Sequence, residues 1–178
     1  MGKMAATSVT RIDLETPVGG LVLVFRDEVL CGVSFEDHRD WLDRWLARRF
    51  GEVEWAEGGA GGETAGRVAA YFDGELRALD AIEVDPGGSP FQREVWNALR
   101  TIGAGETRSY QELACAVGRP SASRAVARAN ATNPIPVVIP CHRVIHADGS
   151  LAGYGGGIER KRWLLRHEAA GAEFRLKP

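Results

Sequence analysis

The sequence predicts a two-domain α/β protein, with an N-terminal sheet and helices over residues 1–85 and a C-terminal helical unit over residues 86–178. Three observations carry that reading. β-Branched and apolar residues alternate and cluster from Val9 to Phe35, as in strands, whereas later apolar residues recur at helical spacing. Chain breakers concentrate at Asp85-Pro86-Gly87-Gly88-Ser89. The charge changes sign at the same place: residues 1–89 hold 9 basic and 17 acidic side chains, whereas residues 90–178 hold 13 and 7.

Within the first unit, Val9–Phe35 reads as two or three antiparallel strands that turn at Thr16-Pro17-Val18-Gly19-Gly20 and at Arg26-Asp27-Glu28. Asp37 stands where it would cap an amphipathic helix, whose Trp41, Leu42, Trp45, Leu46 and Phe50 share one face and are expected to pack on the sheet. Gly58–Gly62 interrupts the pattern before a second helix carrying Val68, Tyr71 and Phe72.

In the second unit, Ser89, Pro90 and Gln92 make a capping-box start for a helix from Phe91 to Arg100, with Phe91, Val95, Leu99 and Ile102 as its inner stripe. Ser109 and Glu112 make a second capping box, and Gly118 ends that helix. A short helix from Ser121 to about Ala131 follows Gly118-Arg119-Pro120, so residues 109–131 carry the helix, glycine-containing turn and helix of a DNA-binding unit. Many helical hairpins bind nothing, and it is Arg119, Arg124 and Arg128 that make this one a candidate. After Glu168 the tail is charged and is expected to fray.

Composition removes several classes. At 178 residues and 44% hydrophobic content the chain suits one good core or two small domains. No apolar run approaches the ~20 residues needed to span a bilayer, and no signal-peptide core precedes the first strand, so a soluble, cytoplasmic protein is expected; it is also expected to be a monomer. Three cysteines, Cys31, Cys115 and Cys141, have neither an even count nor C-x-x-C spacing. Cys31 and His38 alone supply too few ligands for structural zinc, so neither a metal nor a disulfide framework is expected.

The chemistry points to Pro140-Cys141-His142-Arg143-Val144, after the apolar run Pro136-Val137-Val138-Ile139. Ile139-Pro140 reads as a rigid strand end presenting the next side chain. Free cysteine commonly acts as a small buried hydrophobe, and Cys31 and Cys115, each among apolar neighbours, fit that role. Cys141 differs, because a thiol beside His and Arg has its reactive thiolate favoured. In an extended segment Cys141 and His142 would point to opposite faces, so their cooperation requires a bridging water or a local turn. Arg108, Arg119, Arg124, Arg128 and Arg143 face only Glu112 between Thr107 and Ala147, a basic surface of the kind that meets phosphates.

These segments form an ordered set. Gly105-Glu106-Thr107-Arg108-Ser109-Tyr110, Ser123-Arg124-Ala125-Val126, Asn133-Pro134, Pro140-Cys141-His142-Arg143-Val144, Gly153-Tyr154 and Trp163-Leu164-Leu165-Arg166-His167-Glu168 follow one another in the C-terminal half, within the stretch from Phe91 to Glu168. In this order they resemble the O6-alkylguanine-DNA alkyltransferases; the N-terminal half is similar only in layout. The resemblance implies a ribonuclease-H-like α/β domain followed by a winged helix-turn-helix-like domain. It also implies direct reversal of O6-alkylguanine damage in double-stranded DNA, with the alkyl group ending on Cys141 as a thioether, one turnover per molecule and no cofactor.

The resemblance assigns roles as well. His142 would activate Cys141 through a water and be oriented by Glu168, which read alone is a surface carboxylate near a helix end. Tyr110, otherwise a core tyrosine, would donate to the guanine ring, and the main-chain N–H near Gly155 to O6, because sulfur attack releases guanine only if charge on the ring is neutralised. Tyr154 would lie against the base in a glycine-rich loop, with Val144 supporting the pocket. Asn133, by itself a turn former, would hydrogen-bond the turn that holds the cysteine. Reaching the atom requires the nucleotide to rotate out of the stack, at a few kcal/mol. Arg124 would fill the gap from a helix in the minor groove, flanked by Arg128, Arg119 and Gln111. Relatives often carry glycine after Arg-Ala-Val, where this chain has Ala127 and then Arg128. Two other readings remain at this level: a DNA-binding regulator or lesion binder without chemistry, against which Cys141 counts, and a cysteine hydrolase or acyltransferase, which multiple turnover would reveal.

Overall fold

The computed structural model describes residues 6–59 and 61–176. Its N-terminal sheet is built from β1 (Thr7–Leu14), β2 (Leu21–Arg26) and β3 (Val29–Phe35), paired antiparallel, with β4 (Val53–Trp55) added parallel to β1, giving the order β3-β2-β1-β4. Asp27 and Glu28 at φ 50° and 70° form the two-residue turn between β2 and β3, a left-handed pair whose twist suits a hairpin. β4 was not expected, because three residues show no alternation and their partner lies more than forty positions earlier.

Alternation along β2 assigns its two faces. Leu21, Leu23 and Phe25 point into the main core, while Val22 and Val24 join Val9, Cys31, Leu42 and Leu46 beneath α1 (Arg39–Phe50). All are nearly inaccessible, and each large side chain so buried contributes about 1.5–3 kcal/mol. Trp41, Trp45 and Phe50 pack against that smaller cluster as expected. Asp37 does not cap α1. A 3-10 turn, Glu36–His38, intervenes, and the Asp37 carboxylate instead receives Arg160 Nη1 at 2.9 and 3.0 Å.

α2 (Gly62–Phe72) buries Val68, Tyr71 and Phe72 in the main core. Ala60, inside the expected glycine-rich break, lies outside the described residues. Both capping boxes are present: Ser89 and Gln92 open α3 (Pro90–Leu99), and Ser109 and Glu112 open α4 (Tyr110–Ala116). In α3, Val95, Leu99 and the following Ile102 are buried, Phe91 is half-buried, and Trp96 is an additional core residue whose Nε1 donates to Ala129 O at 2.9 Å. Gly118 at φ 69° closes α4, and α5 (Ser123–Ala131) completes the helix-turn-helix.

One core cluster runs from Leu21 through Tyr71 and Trp96 to Ile139 and Leu164, drawing side chains from both sides of Asp85–Ser89. Backbone bonds join the two halves as well: Val33 N donates to Pro134 O at 2.8 Å, and Asp85 N to Leu30 O at 2.8 Å. The expected class, an N-terminal α/β unit with a mixed sheet followed by a helical helix-turn-helix unit, matches the structure. The frayed tail does not, since α6 runs from Ile158 to Leu176 and passes straight through Glu168.

Candidate active site

Residues before Cys141 do not form a strand. Ile135–Ser150 contains turns, a 3-10 turn at Cys141–Arg143 and the two-residue β6 (Val144–Ile145), which pairs in parallel with β5 (Arg108–Ser109). The apolar run is buried because it packs in the core, not because it joins a sheet. Asn133 fastens this segment: its Nδ2 donates to Ile139 O at 2.8 Å and its Oδ1 accepts from Ile135 N at 2.9 Å. At the centre, buried Val137 is held at φ 73°, a left-handed conformation costing a β-branched residue about 1–3 kcal/mol. Strain therefore sits four residues before the thiol, offset by burial and by the Asn133 bonds.

Cys141 is 5% exposed and lines a cavity of about 450 Å³ together with Tyr110, Asn130, Asn133, Gly153, Tyr154 and Gly155. The wall opposite comes from the N-terminal half, through Val33, Phe35, His38 and Trp41. Gly156 packs so tightly on the Phe35 ring that a Cβ there would collide with it, which accounts for glycine at that position of the loop. Arg160 anchors the same loop, donating to Gly156 O at 2.9 Å and Val18 O at 2.7 Å, with its guanidinium 4.3 Å from the Phe35 ring centroid. A second cavity of about 390 Å³ lies behind Pro140 and is lined by Arg100 and Arg143, with no thiol on its wall.

The 3-10 turn lets the three neighbours of the Cys-His-Arg sequence point differently. His142 and Arg143 turn inward onto Glu168 of α6, all three buried. His142 Nε2 lies 2.8 Å from Glu168 Oε1, and Arg143 donates to both carboxylate oxygens, Nε to Oε2 at 3.0 Å and Nη2 to Oε1 at 2.8 Å. Tyr71 Oη donates to Oε1 at 2.7 Å. Glu168 is thus a fully buried carboxylate rather than a surface one, and Arg143 leaves the expected basic surface to neutralise it. His142 Nδ1 has no protein partner, so it is the ring nitrogen left free to accept a proton.

Burial alone would raise Glu168, but His142 and Arg143 outweigh it and hold the carboxylate well below its usual range. Burial lowers His142 against the pull of Glu168, keeping the imidazole neutral. Burial pushes the Cys141 thiol up to about 11, opposed by a hydrogen bond from Asn133 and the charge of Lys161. Contrary to the expectation of a thiolate favoured at rest, Arg143 is occupied by Glu168 and Ile102 O, and desolvation dominates. Such a thiol needs a base at the moment of reaction. Tyr110 is raised by burial and by Cys141, so its hydroxyl stays a donor near neutrality.

Of the other cysteines, Cys31 is buried and pushed up to about 11, chiefly by desolvation, as an inert core residue should be. Cys115 is exposed, contrary to the buried role read for it; its Sγ lies 3.6 Å from Gln111 Nε2. Gln111 commits its amide within the helix-turn-helix, donating to Pro120 O and accepting from Ser123 Oγ, both at 2.7 Å. Arg124 and Arg128 are exposed on one face of α5, one turn apart, and make no ion pair among the described residues. Arg119 pairs with Glu94 at 3.1 Å and covers the Phe91 ring. Val144 is buried, and its carbonyl accepts from Lys161 Nζ.

The comparison with known proteins decides the family. The chain is 44% identical over 158 residues to the methylated-DNA–protein-cysteine methyltransferase of Salmonella typhimurium, covering 87% of this chain and 92% of that one. It belongs to the methylated-DNA–protein-cysteine methyltransferase family. The Mycolicibacterium paratuberculosis methyltransferase is 48% identical over 155 residues, with 87% and 89% of the two chains covered. The family model described as "6-O-methylguanine DNA methyltransferase, DNA binding domain" matches residues 90–170. Among solved structures, Mycobacterium tuberculosis OGT in complex with DNA superposes with a TM-score of 0.76 at 40% identity, covering 92% of this chain and 94% of that one.

Within this methyltransferase fold the sequence reading missed Tyr71, Lys161 and Asn130. Lys161, Leu164 and Glu168 are buried at i, i+3 and i+7 on α6, so two charges in phase with a core leucine were an available signal. Tyr71 gave none, since an inward tyrosine on an apolar stripe is ordinary core. Among the described residues no group of three or more His, Cys, Asp or Glu is gathered to hold a metal ion, and no helix is long and apolar enough to cross a membrane.

Proposed function

We propose that Cys141 is the alkyl acceptor of this methyltransferase, with His142 as its base, Glu168 as the group that orients the base, and Tyr110 as the donor to the leaving guanine. The reaction of the family is direct reversal, in which an alkyl group passes from O6 of guanine in DNA to a cysteine of the protein. The observation that carries the assignment is the cavity of about 450 Å³ lined by both Cys141 and Tyr110, together with the buried pair of His142, the next residue in the chain, and Glu168 at 2.8 Å.

The steps balance without a cofactor. The thiol proton passes to His142 Nδ1 through a water, as the family resemblance implies, while sulfur attacks the saturated alkyl carbon. The S–C bond forms, the C–O6 bond breaks, and its electron pair goes to the purine. Tyr110 and the Gly155 N–H stabilise the developing negative charge by hydrogen bonding, and the proton taken from the thiol returns to guanine. The low-dielectric wall that raises the resting thiol also destabilises a lingering thiolate, so deprotonation and attack are coupled. The product is a thioether, which ends the life of the molecule as an acceptor.

Double-stranded DNA is the substrate the family acts on, and the proposed docking is through the minor groove, with α5 in the groove and Arg124 in place of the extruded base. The exposure of Arg124 and Arg128 on one helical face supports this. A monomer working in the cytoplasm is part of the proposal. Intact-protein mass measurement after incubation with a duplex containing O6-methylguanine tests the reading: the expected result is one added methyl group, on Cys141, saturating at one equivalent, with Cys141→Ser inert yet still binding DNA. Continued demethylation by a small amount of protein, no mass gain, or a label on Cys115 would overturn it.

A further inference from the structure

Glu168 Oε1 is shared by three side chains. It accepts from Tyr71 Oη at 2.7 Å and Arg143 Nη2 at 2.8 Å, and lies 2.8 Å from His142 Nε2, while Oε2 takes Arg143 Nε at 3.0 Å and the Gly105 N–H at 3.5 Å. His142, Arg143 and Gly105 belong to the C-terminal half. Tyr71 alone comes from the other half, 97 residues away on α2.

We propose that Tyr71 is a positioning residue for alkyl transfer: by holding the same carboxylate oxygen that receives His142 Nε2–H, it sets both the orientation and the basicity of the imidazole that deprotonates Cys141. The proposal rests on the reading of Cys141 and His142 as nucleophile and base. It gives the N-terminal half a part in the chemistry beyond walling the pocket.

Tyr71 is fixed on every side. Its ring is 0% exposed, stands edge-on to Phe72 at 5.2 Å and to His167 at 5.3 Å, and its carbonyl accepts from His167 Nε2 at 2.7 Å. α6 therefore clasps Tyr71 twice, through His167 at the main chain and through Glu168 at the hydroxyl. Burial and the neighbouring Glu168 charge push Tyr71 well above its ordinary range, so it remains a donor at every working pH. A donor that cannot ionise disperses carboxylate charge without competing for the proton. The other titratable or charged groups around this pair are Arg143, Lys161, Cys141, Tyr154 and His167, and Tyr71→Phe leaves every one of these side chains in place.

The sign follows. Tyr71→Phe keeps the ring but withdraws one donor from Glu168, leaving more negative charge on the oxygen facing Nε2–H. The imidazolium form of His142 is then favoured, and its titration midpoint rises, by about 0.5–1 pH unit. Nitrogen NMR of the His142 imidazole, with His142→Gln for assignment, reads this without any DNA. Single-turnover transfer from O6-methylguanine duplex across the same pH range reads its consequence, an acid limb displaced upward by the same amount and a rate several-fold lower through looser orientation. In Glu168→Gln, adding Tyr71→Phe should change neither readout, because the tyrosine acts through the carboxylate. Site-specific 3-fluorotyrosine at position 71, a stronger donor of nearly the same shape, should move the midpoint the other way and covers the case in which Tyr71→Phe folds poorly. An unmoved His142 midpoint in both variants overturns the proposal, whatever the activity. A wild-type protein that transfers no methyl group overturns the assignment of the base instead, while the NMR result still decides whether Tyr71 governs His142.

Discussion

Replacing Glu168 by glutamine tests the energetic centre of the site. The carboxylate is 0% exposed and its partner Arg143 has a side chain 6% exposed, so neither charge can turn to water when the other is removed. Glutamine preserves shape and one acceptor oxygen, but it presents an N–H₂ where Arg143 or His142 needs an acceptor. Breaking a buried pair from one side costs about 3–5 kcal/mol. With one acceptor retained, the lower end applies, about 3 kcal/mol, a large share of the ~5–15 kcal/mol that holds a typical native protein together. Equilibrium urea unfolding at neutral pH should show a midpoint lowered by about 1–2 M with an unchanged slope, for a slope near ~2 kcal/mol per M. Acid should close the gap. Glu168 is depressed in the folded state, so its contribution is complete above the unfolded value of about 4.3 and is lost as pH falls below it. His142 is also depressed, so the wild type begins to lose stability as pH falls through about 6.5, where the unfolded imidazole takes up a proton that the folded one refuses. A neutral-pH difference below about 1 kcal/mol, or a difference that persists unchanged in acid, would refute the view that this carboxylate is ionised, buried and fully paired.

Two further substitutions separate DNA handling from support of the nucleophile. Arg124→Ala should react with free O6-benzylguanine at nearly the wild-type rate but lose about tenfold on duplex DNA if the arginine offsets ~1.4 kcal/mol of extrusion. A mismatch or abasic site opposite the lesion should restore part of that loss, whereas equal losses on base and duplex would mean that Arg124 supports the fold. Asn133→Ala leaves Ile139 O and Ile135 N unpaired in the core and should cost about 2–4 kcal/mol in urea unfolding. It should also slow transfer to the free base, because the strained Val137 turn and the Cys141 that follows lose their anchor; an unchanged rate would show that the turn is held by packing alone.

Local chemistry was legible in the sequence. Both capping boxes, at Ser89 with Gln92 and at Ser109 with Glu112, were readable because each is a bond between a side chain and the backbone three residues away. The hairpins of β1 to β3 were readable because period-two alternation is a property of neighbouring residues. The ordered segments from Gly105 to Glu168 marked the family and pointed to Cys141 as the candidate acceptor. Only the tertiary structure decided what each buried face would meet. β4 required a partner strand more than forty residues earlier, and Pro140 followed turns rather than a strand. The charge state of the site was hidden for the same reason: Glu168 meets His142, Arg143 and Tyr71 across separations of 26, 25 and 97 residues. Periodicity shows that a side chain points inward but not which charge waits there, and in a low-dielectric interior that neighbour determines whether a carboxylate is ionised, a thiol protonated and an imidazole free to act.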